Sequence, residues 1–147
     1  MDDHLKLENQ LCFKYYVISK EIIRQYKPLL RPLHLTYTAY ITMLALWEED
    51  HVTVKKLGER LTLDSGTLTP LLKKLEKTGY INRHRSKADE RQVKVLVTKR
   101  GLLLKDKARD IPQQIVKKIF GNQSLSDHEI KRRIDSLNAA FNLIKKK

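Results

Sequence analysis

Apolar residues recur along the first part of the chain at spacings that alternate between three and four. Leu11, Tyr15, Ile18 and Ile22 follow one face, and Cys12, Tyr16, Ser19, Ile23 and Tyr26 follow the stripe beside it, so a helix is expected from about Leu7 to Tyr26. Two broad apolar stripes exceed what a single face against a small core uses, which points to burial against a second subunit. Pro28 and Pro32 are expected to break this helix, because proline lacks an N–H and crowds the preceding turn. A second helix reads from about Thr38 to Glu49 through Tyr40, Ile41, Leu44, Ala45 and Trp47, with Thr36 or Thr38 available as N-cap. His51 and Val52 connect it to a short helix, Val54 to Leu61, with Thr53 placed to cap it. Thr62-Leu63-Asp64 then leads into a helix from Ser65 to about Thr78, capped by Asp64 or Ser65 and stopped by Gly79. A short helix, a tight turn and a longer helix make a helix-turn-helix.

After Gly79 the period changes. Tyr80 to Arg85 and Gln92 to Val97 read as strands, with Val93, Val95 and Val97 alternating in the second. The polar tip between them, Ser86-Lys87-Ala88-Asp89-Glu90-Arg91, makes this hairpin a wing. Thr98-Lys99-Arg100-Gly101 opens a long helix to about Phe120, with a break at Pro112 and an end at Gly121-Asn122. A last helix starts at Ser126, where Ser126 and Glu129 have capping-box spacing, and carries Ile130, Ile134, Leu137, Phe141 and Ile144 as its apolar stripe. Lys145-Lys146-Lys147 reads as a solvated end. The fold class is mainly α with a small β-hairpin wing.

Charge narrows the partners. Lys and Arg total 30 against 17 Asp and Glu, a formal net charge of +13, which favours a polyanion through counterion release. Anionic membrane competes with nucleic acid for that role. No apolar run approaches a transmembrane span, and Met1-Asp2-Asp3-His4 lacks the basic-then-apolar layout of a signal peptide, so no membrane partner and a cytoplasmic location are expected. Five scattered histidines and one cysteine leave no metal-ligand spacing, no phosphate-binding glycine loop and no nucleophile motif. An enzyme, a cofactor and a metal site are therefore not expected.

Three groups of residues can carry chemistry. At the start of the reading helix, Ser65, Thr67 and Thr69 can reach phosphates or base edges, Pro70 lies beside them, and Lys73 and Lys74 can flank a groove. An ordinary amphipathic helix with a solvated basic face is the alternative. In the wing, Arg83, Arg85 and Arg91 suit duplex DNA, and a tip arginine such as Arg91 suits the minor groove. Asp89 is expected to pair with Arg91 and fix its direction, the alternative being a charged turn that only keeps the hairpin soluble. Cys12 lies near a helix start, where the dipole favours an anion, and five of the six tyrosines (Tyr15, Tyr16, Tyr26, Tyr37 and Tyr40) are near it in sequence. These residues fit a sulfur stabilised by phenol hydrogen bonds, and they equally fit an aromatic core around a small inert thiol.

The order of elements, with Leu63-Asp64-Ser65-Gly66-Thr67-Leu68-Thr69-Pro70-Leu71-Leu72-Lys73 and the wing residues Asp89-Glu90-Arg91, resembles the MarR family of dimeric bacterial regulators. Lys6-Leu7-Glu8-Asn9-Gln10-Leu11-Cys12-Phe13 and Gln25-Tyr26-Lys27-Pro28-Leu29-Leu30 look like the organic hydroperoxide resistance repressors within it, in their one-cysteine form. The likeness is densest from about Lys6 to Leu104. It implies a dimeric winged helix-turn-helix repressor whose Cys12 is oxidised by an organic hydroperoxide and which then leaves a pseudo-palindromic double-stranded operator. It also implies that Tyr26 and Tyr37, with Tyr16 in support, hydrogen-bond the sulfur from the partner subunit. A low-molecular-weight thiol is the implied second reagent. The division implied is 1–36 for a dimerisation helix and connection, 37–104 for the winged DNA-binding region, and 105–147 for helices completing the dimer layer. Related staphylococcal-type global regulators share much of the Cys12 segment, so a wider redox regulon is an alternative. Others are a MarR-type repressor released by reversible binding of a small ligand, an architectural protein that binds DNA without sequence choice, and a peroxidase.

Overall fold

The computed structural model describes residues 3–121 and 125–145. Asn122, read as part of a helix stop, and the terminal Lys146 and Lys147 lie outside the described residues, as do Met1 and Asp2. The chain forms two compact units, residues 1–111 and 112–147.

In the first unit, α1 spans Leu11–Leu30 and α2 spans Tyr37–Glu48. β1 (Val52–Thr53) precedes α3 (Val54–Leu61) and α4 (Ser65–Lys77); β2 (Ile81–Arg85), β3 (Val93–Val97) and α5 (Lys99–Ala108) follow. The sheet is antiparallel in the order β1-β3-β2, with Val52 opposite Val95, Ile81 opposite Val97 and Arg85 opposite Val93. α6 (Ile111–Phe120) leads into the second unit, which contains α7 (Asp127–Lys145).

Local chemistry places most helix starts. The side chains of Thr36, Thr53, Asp64 and Thr98 each accept the backbone N–H of the third residue onward, satisfying a donor that the first turn leaves open. At the start of α7, Glu129 accepts from the Ser126 backbone N–H while Ser126 Oγ accepts from Glu129, a reciprocal capping box. The core gathers Tyr40, Met43 and Leu46 from α2, Leu57 from α3, and Leu68, Leu72 and Leu75 from α4. Ile81, Val95, Leu104 and Leu30 complete it. Each fully buried leucine contributes about 2 kcal/mol of transfer free energy.

Three expectations need correction. α1 begins only at Leu11, after a separate 3-10 turn at Leu7–Asn9, because Gln10 is extended. It also runs through Pro28 instead of breaking there. A proline in the last turn of a 20-residue helix removes one hydrogen bond near its end, and the chain reverses only at His34, in the left-handed region. The break expected at Pro112 falls earlier, between Ala108 and Ile111. Pro112 occupies the first turn of α6, where its missing N–H has no intrahelical partner to lose. β1 was not anticipated; its two residues are a strand only because β3 lies beside them.

Thr98 and Gly101 knit α5 to the strands. Thr98 donates its hydroxyl to the Gly79 carbonyl at 2.6 Å and accepts the Gly101 N–H at 3.0 Å. The Gly101 carbonyl accepts from Trp47 Nε1 at 3.0 Å. A Cβ at Gly101 would stand 2.2 Å from the Tyr80 carbonyl oxygen and 2.7 Å from Val97 Cγ1. Alanine favours helix by up to about 1 kcal/mol over glycine, yet overpacking against rigid backbone costs about 1–3 kcal/mol. Gly101→Ala is therefore expected to lower stability by about 2 kcal/mol in a urea denaturation series, whereas a gain in stability would show that α5 shifts freely.

Candidate nucleic-acid interface and sulfur site

α4 divides its side chains by face. Leu68, Leu72 and Leu75 are buried, and Ser65, Thr67, Pro70, Lys73, Lys74 and Lys77 are exposed, with Thr69 half-buried. The Asp64 carboxylate is occupied as the cap, accepting the Thr67 N–H at 2.8 Å. What the helix presents outward is thus hydroxyls at its N-terminal end and ammonium groups further along, a sequence suited to base edges and then phosphates.

The wing is held by its own turn. Ser86 N–H donates to the Gln92 carbonyl at 2.8 Å and Gln92 N–H to the Asp89 carbonyl at 3.0 Å. Asp89 Oδ1 accepts the backbone N–H of Arg91 at 3.0 Å, so the pairing expected between these residues is made through the main chain and leaves the Arg91 side chain exposed. Arg85 Nη1 donates to the Glu90 carbonyl at 3.0 Å. Arg83 is committed inward, to Glu76 of α4. Thr53, Lys55, Thr69, Arg83, Arg91 and Gln92 line a cleft of about 400 Å³ between wing and helices.

Cys12, the second residue of α1, is a free and exposed thiol. The approach to it is ordered: Gln10 Nε2 donates to the carbonyls of His4 at 2.6 Å and Lys6 at 3.1 Å, and Asn9 Nδ2 donates to the Asp3 carbonyl at 2.8 Å. One turn on, Tyr16 is exposed, with the Lys20 ammonium 4.9 Å from its ring centre. Tyr26 lies at the other end of the helix, tilted against Tyr37 at 4.8 Å and Tyr40 at 5.8 Å between ring centres. Burial pushes the Tyr26 phenol up to about 12, with the neighbouring Tyr37 and Tyr40 adding to the shift, and burial raises Tyr37 and Tyr40 as well. All three are therefore neutral donors at physiological pH.

The structure brings Tyr26 and Tyr37 together but not with Cys12 of the same chain. Cys12 and Tyr26 are fourteen positions apart on one helix, roughly 20 Å at 1.5 Å per residue. Leu11, Tyr15, Tyr16, Val17, Ile18 and Ile23 of α1 are exposed, as are Ile134, Leu137, Phe141 and Ile144 of α7. Patches of large apolar residues on this scale mark an association surface. Glu76 was not singled out in the sequence, although a lone acid among Lys73, Lys74 and Lys77 is the mark of a residue with an internal partner. Among the described residues no cluster of His, Cys, Asp or Glu could hold a metal, and no helix is long and apolar enough to cross a membrane.

Residues 24–111 match the family model for the transcriptional regulator SarA/Rot. The chain is 57% identical over 114 residues to the organic hydroperoxide resistance transcriptional regulator of Bacillus subtilis, covering 78% of each chain. It is 44% identical over 131 residues to the HTH-type transcriptional regulator SarZ of Staphylococcus aureus, covering 89% of this chain and 86% of that one. Among solved structures, reduced AbfR bound to DNA superposes with a TM-score of 0.81 at 29% identity, covering 97% of each chain; AbfR is a protein of Staphylococcus epidermidis.

The tyrosine cluster has a pH consequence. The folded value of Tyr26 lies above its ordinary value of 10, so the stabilisation is complete below pH 10 and is lost as the pH rises toward about 12. Titration of the phenolate absorbance should show a late phase near pH 12 that Tyr26→Phe removes. A titration in which every tyrosine ionises together near pH 10 would contradict the partial desolvation of Tyr26 in this cluster.

Proposed function

Because the chain belongs to the SarA/Rot group of MarR-family transcriptional regulators, we propose that it is a homodimeric DNA-binding repressor that senses organic hydroperoxides through Cys12 and then releases its operator. The observation that carries this reading is the exposed thiol on an apolar helix face, far from a half-buried pair of phenols on the same chain. Antiparallel pairing of two α1 helices would bring Tyr26 and Tyr37 of one subunit to Cys12 of the partner subunit, with Tyr16 nearby. In this reading residues 1–36 and 105–147 form the dimer layer, and 37–104 reads DNA.

The output surface comprises Ser65, Thr67, Thr69 and Pro70 over the base edges and Lys73 and Lys74 on phosphates. Arg85 and Arg91 of the wing reach the minor groove, with Asp89 fixing the Arg91 backbone. Two such surfaces related by a twofold axis suit a pseudo-palindromic duplex. A net charge of +13 on each protomer makes binding strongly salt-dependent. The site of action is the cytoplasm, where that duplex is.

The chemistry balances within named reagents. The Cys12 thiolate attacks the outer peroxide oxygen; the S–O bond forms as the O–O bond breaks, and the alkoxide takes a proton and leaves as an alcohol. Sulfur is oxidised to the sulfenic acid and the peroxide is reduced. With no second cysteine in the chain, the sulfenic acid condenses with a low-molecular-weight thiol, losing water to give a mixed disulfide, or more peroxide carries it to the sulfinic acid. Added volume at a packed interface forces repacking, and the separation of the two reading helices changes. The reaction occurs once per thiol, unlike that of a peroxidase.

A cavity of about 820 Å³, lined by Ile23, Leu30, Leu35 and Tyr37 with Lys27, Arg31 and Lys74 also in its wall, favours a second reading. There the repressor is released by reversible binding of a small amphipathic anion. Recovery of binding on dialysis alone would select that reading, and recovery only on adding a thiol reductant would select the first.

The primary test uses a duplex selected from a random pool by the reduced protein. One equivalent of cumene hydroperoxide, with a small thiol present, should release wild-type protein and leave Cys12→Ser bound. Equal release of both proteins at the same dose would sink the assignment. Intact-protein mass spectrometry should show the adduct on Cys12 and about one peroxide consumed per chain.

A further inference from the structure

One ion pair ties α4 directly to the wing. Glu76 Oε1 accepts the backbone N–H of Arg83 at 3.0 Å, and Glu76 Oε2 accepts from Arg83 Nε at 3.2 Å and Nη2 at 2.8 Å. A single carboxylate thereby takes three hydrogen bonds from one residue of β2. The pair is partly sheltered, with Arg83 22% and Glu76 36% exposed, so it is screened less than a surface pair. Arg83 sits mid-strand, opposite the buried Val95 of β3.

The covalent link between the two elements is Thr78-Gly79-Tyr80, in which Gly79 adopts φ 81°. A glycine at positive φ makes the turn possible without making it stiff. A carboxylate on a DNA-facing helix also repels phosphate, and Glu76 stands among Lys73, Lys74 and Lys77. Its place there is explained by an internal partner, and the planar fork of arginine supplies one that lysine could not match.

We propose that Glu76 and Arg83 form a strut that fixes the angle between the reading helix and the wing, so that both are positioning residues and Arg83 is not a phosphate contact. The proposal rests on the DNA-binding reading above. It separates Arg83 from Arg85 and Arg91, with which the sequence had grouped it. The strut acts on selectivity: helix and wing must engage adjacent grooves in register on the preferred duplex, whereas binding to random DNA tolerates a looser arrangement.

The test measures equilibrium binding of the full reduced protein to the selected duplex and to a random duplex of equal length, across a range of salt. Glu76→Gln and Arg83→Gln are each expected to weaken binding to the selected duplex by about tenfold, with a smaller loss on random DNA. The double variant should be no worse than the weaker single, because the two act as a unit. The slope of log affinity against log salt should stay as in wild type. The proposal is overturned if Arg83→Gln lowers that slope by about one per protomer, as a lost phosphate contact does, or if Glu76→Gln tightens binding. Arg83→Lys decides the matter should the glutamine variant fail to fold: a strut still loses selectivity, and a phosphate contact keeps wild-type affinity. A wild-type protein without preference for the selected duplex would instead remove the DNA-reading premise.

Discussion

An α-helix rises 1.5 Å per residue, and that pitch is the constraint on which the sensing arrangement depends. It separates Cys12 from Tyr26 by roughly 20 Å on α1, too far for the Tyr26 phenol to reach the sulfur of its own chain. On the proposed reading, the thiol near one end of α1 and the Tyr26–Tyr37 pair at the other make one complete site when two copies of the helix run side by side in opposite senses. The apolar side chains left open along α1 supply the surface for that pairing. On that reading sensor and dimer are one feature, and what disturbs the first acts on the second.

The reading unit is rigid for separate reasons. Leu68, Leu72 and Leu75 seat α4 against a core that includes Met43 and Leu46 of α2. Thr98 and Gly101 bind α5 to the turn before the wing, and the Trp47 indole closes onto the Gly101 carbonyl from α2. Asp50 Oδ1 accepts the Val97 N–H at 2.9 Å, fastening the end of β3 to the segment after α2. A unit held at so many points moves as a body, so a small displacement at its attachment to α1 is carried to the DNA surface without being absorbed.

Local rules made much of this legible. Thr53 and Ser126 were placed as caps, and Asp64 as one of two candidates with Ser65, by the need of the first helical turn for acceptors, and the turn Thr62-Leu63-Asp64 followed from the two helices around it. The wing followed from the change of period at Gly79. What escaped depends on neighbours distant in sequence. β1 exists through pairing with Val95 and Lys94, and α5 ends at Ala108 without a glycine or proline to announce it. Glu76 was passed over for the same reason, since its role depends on Arg83, which comes alongside only after the chain has turned.

The attachment between sensor and reader can be followed atom by atom within the first unit. Tyr26 on α1 packs on Tyr37, the first residue of α2, and on Tyr40, whose side chain is almost wholly buried in the core of the reading unit. Four residues beyond Tyr26, Leu30 is buried in the same core, and the Leu33 carbonyl accepts the Tyr80 hydroxyl at 2.9 Å beside the start of the wing. The last turns of α1 are thus continuous with the packing that seats α2 and the strands. Packed side chains of this kind have few arrangements and do not deform gradually. On the proposed reading, a Tyr26 phenol drawn toward a modified sulfur would carry Tyr37, and with it the start of α2. In a fold where α2 supports the reading helix directly, chemistry on one atom of the dimer layer needs no separate relay to change how the protein meets DNA.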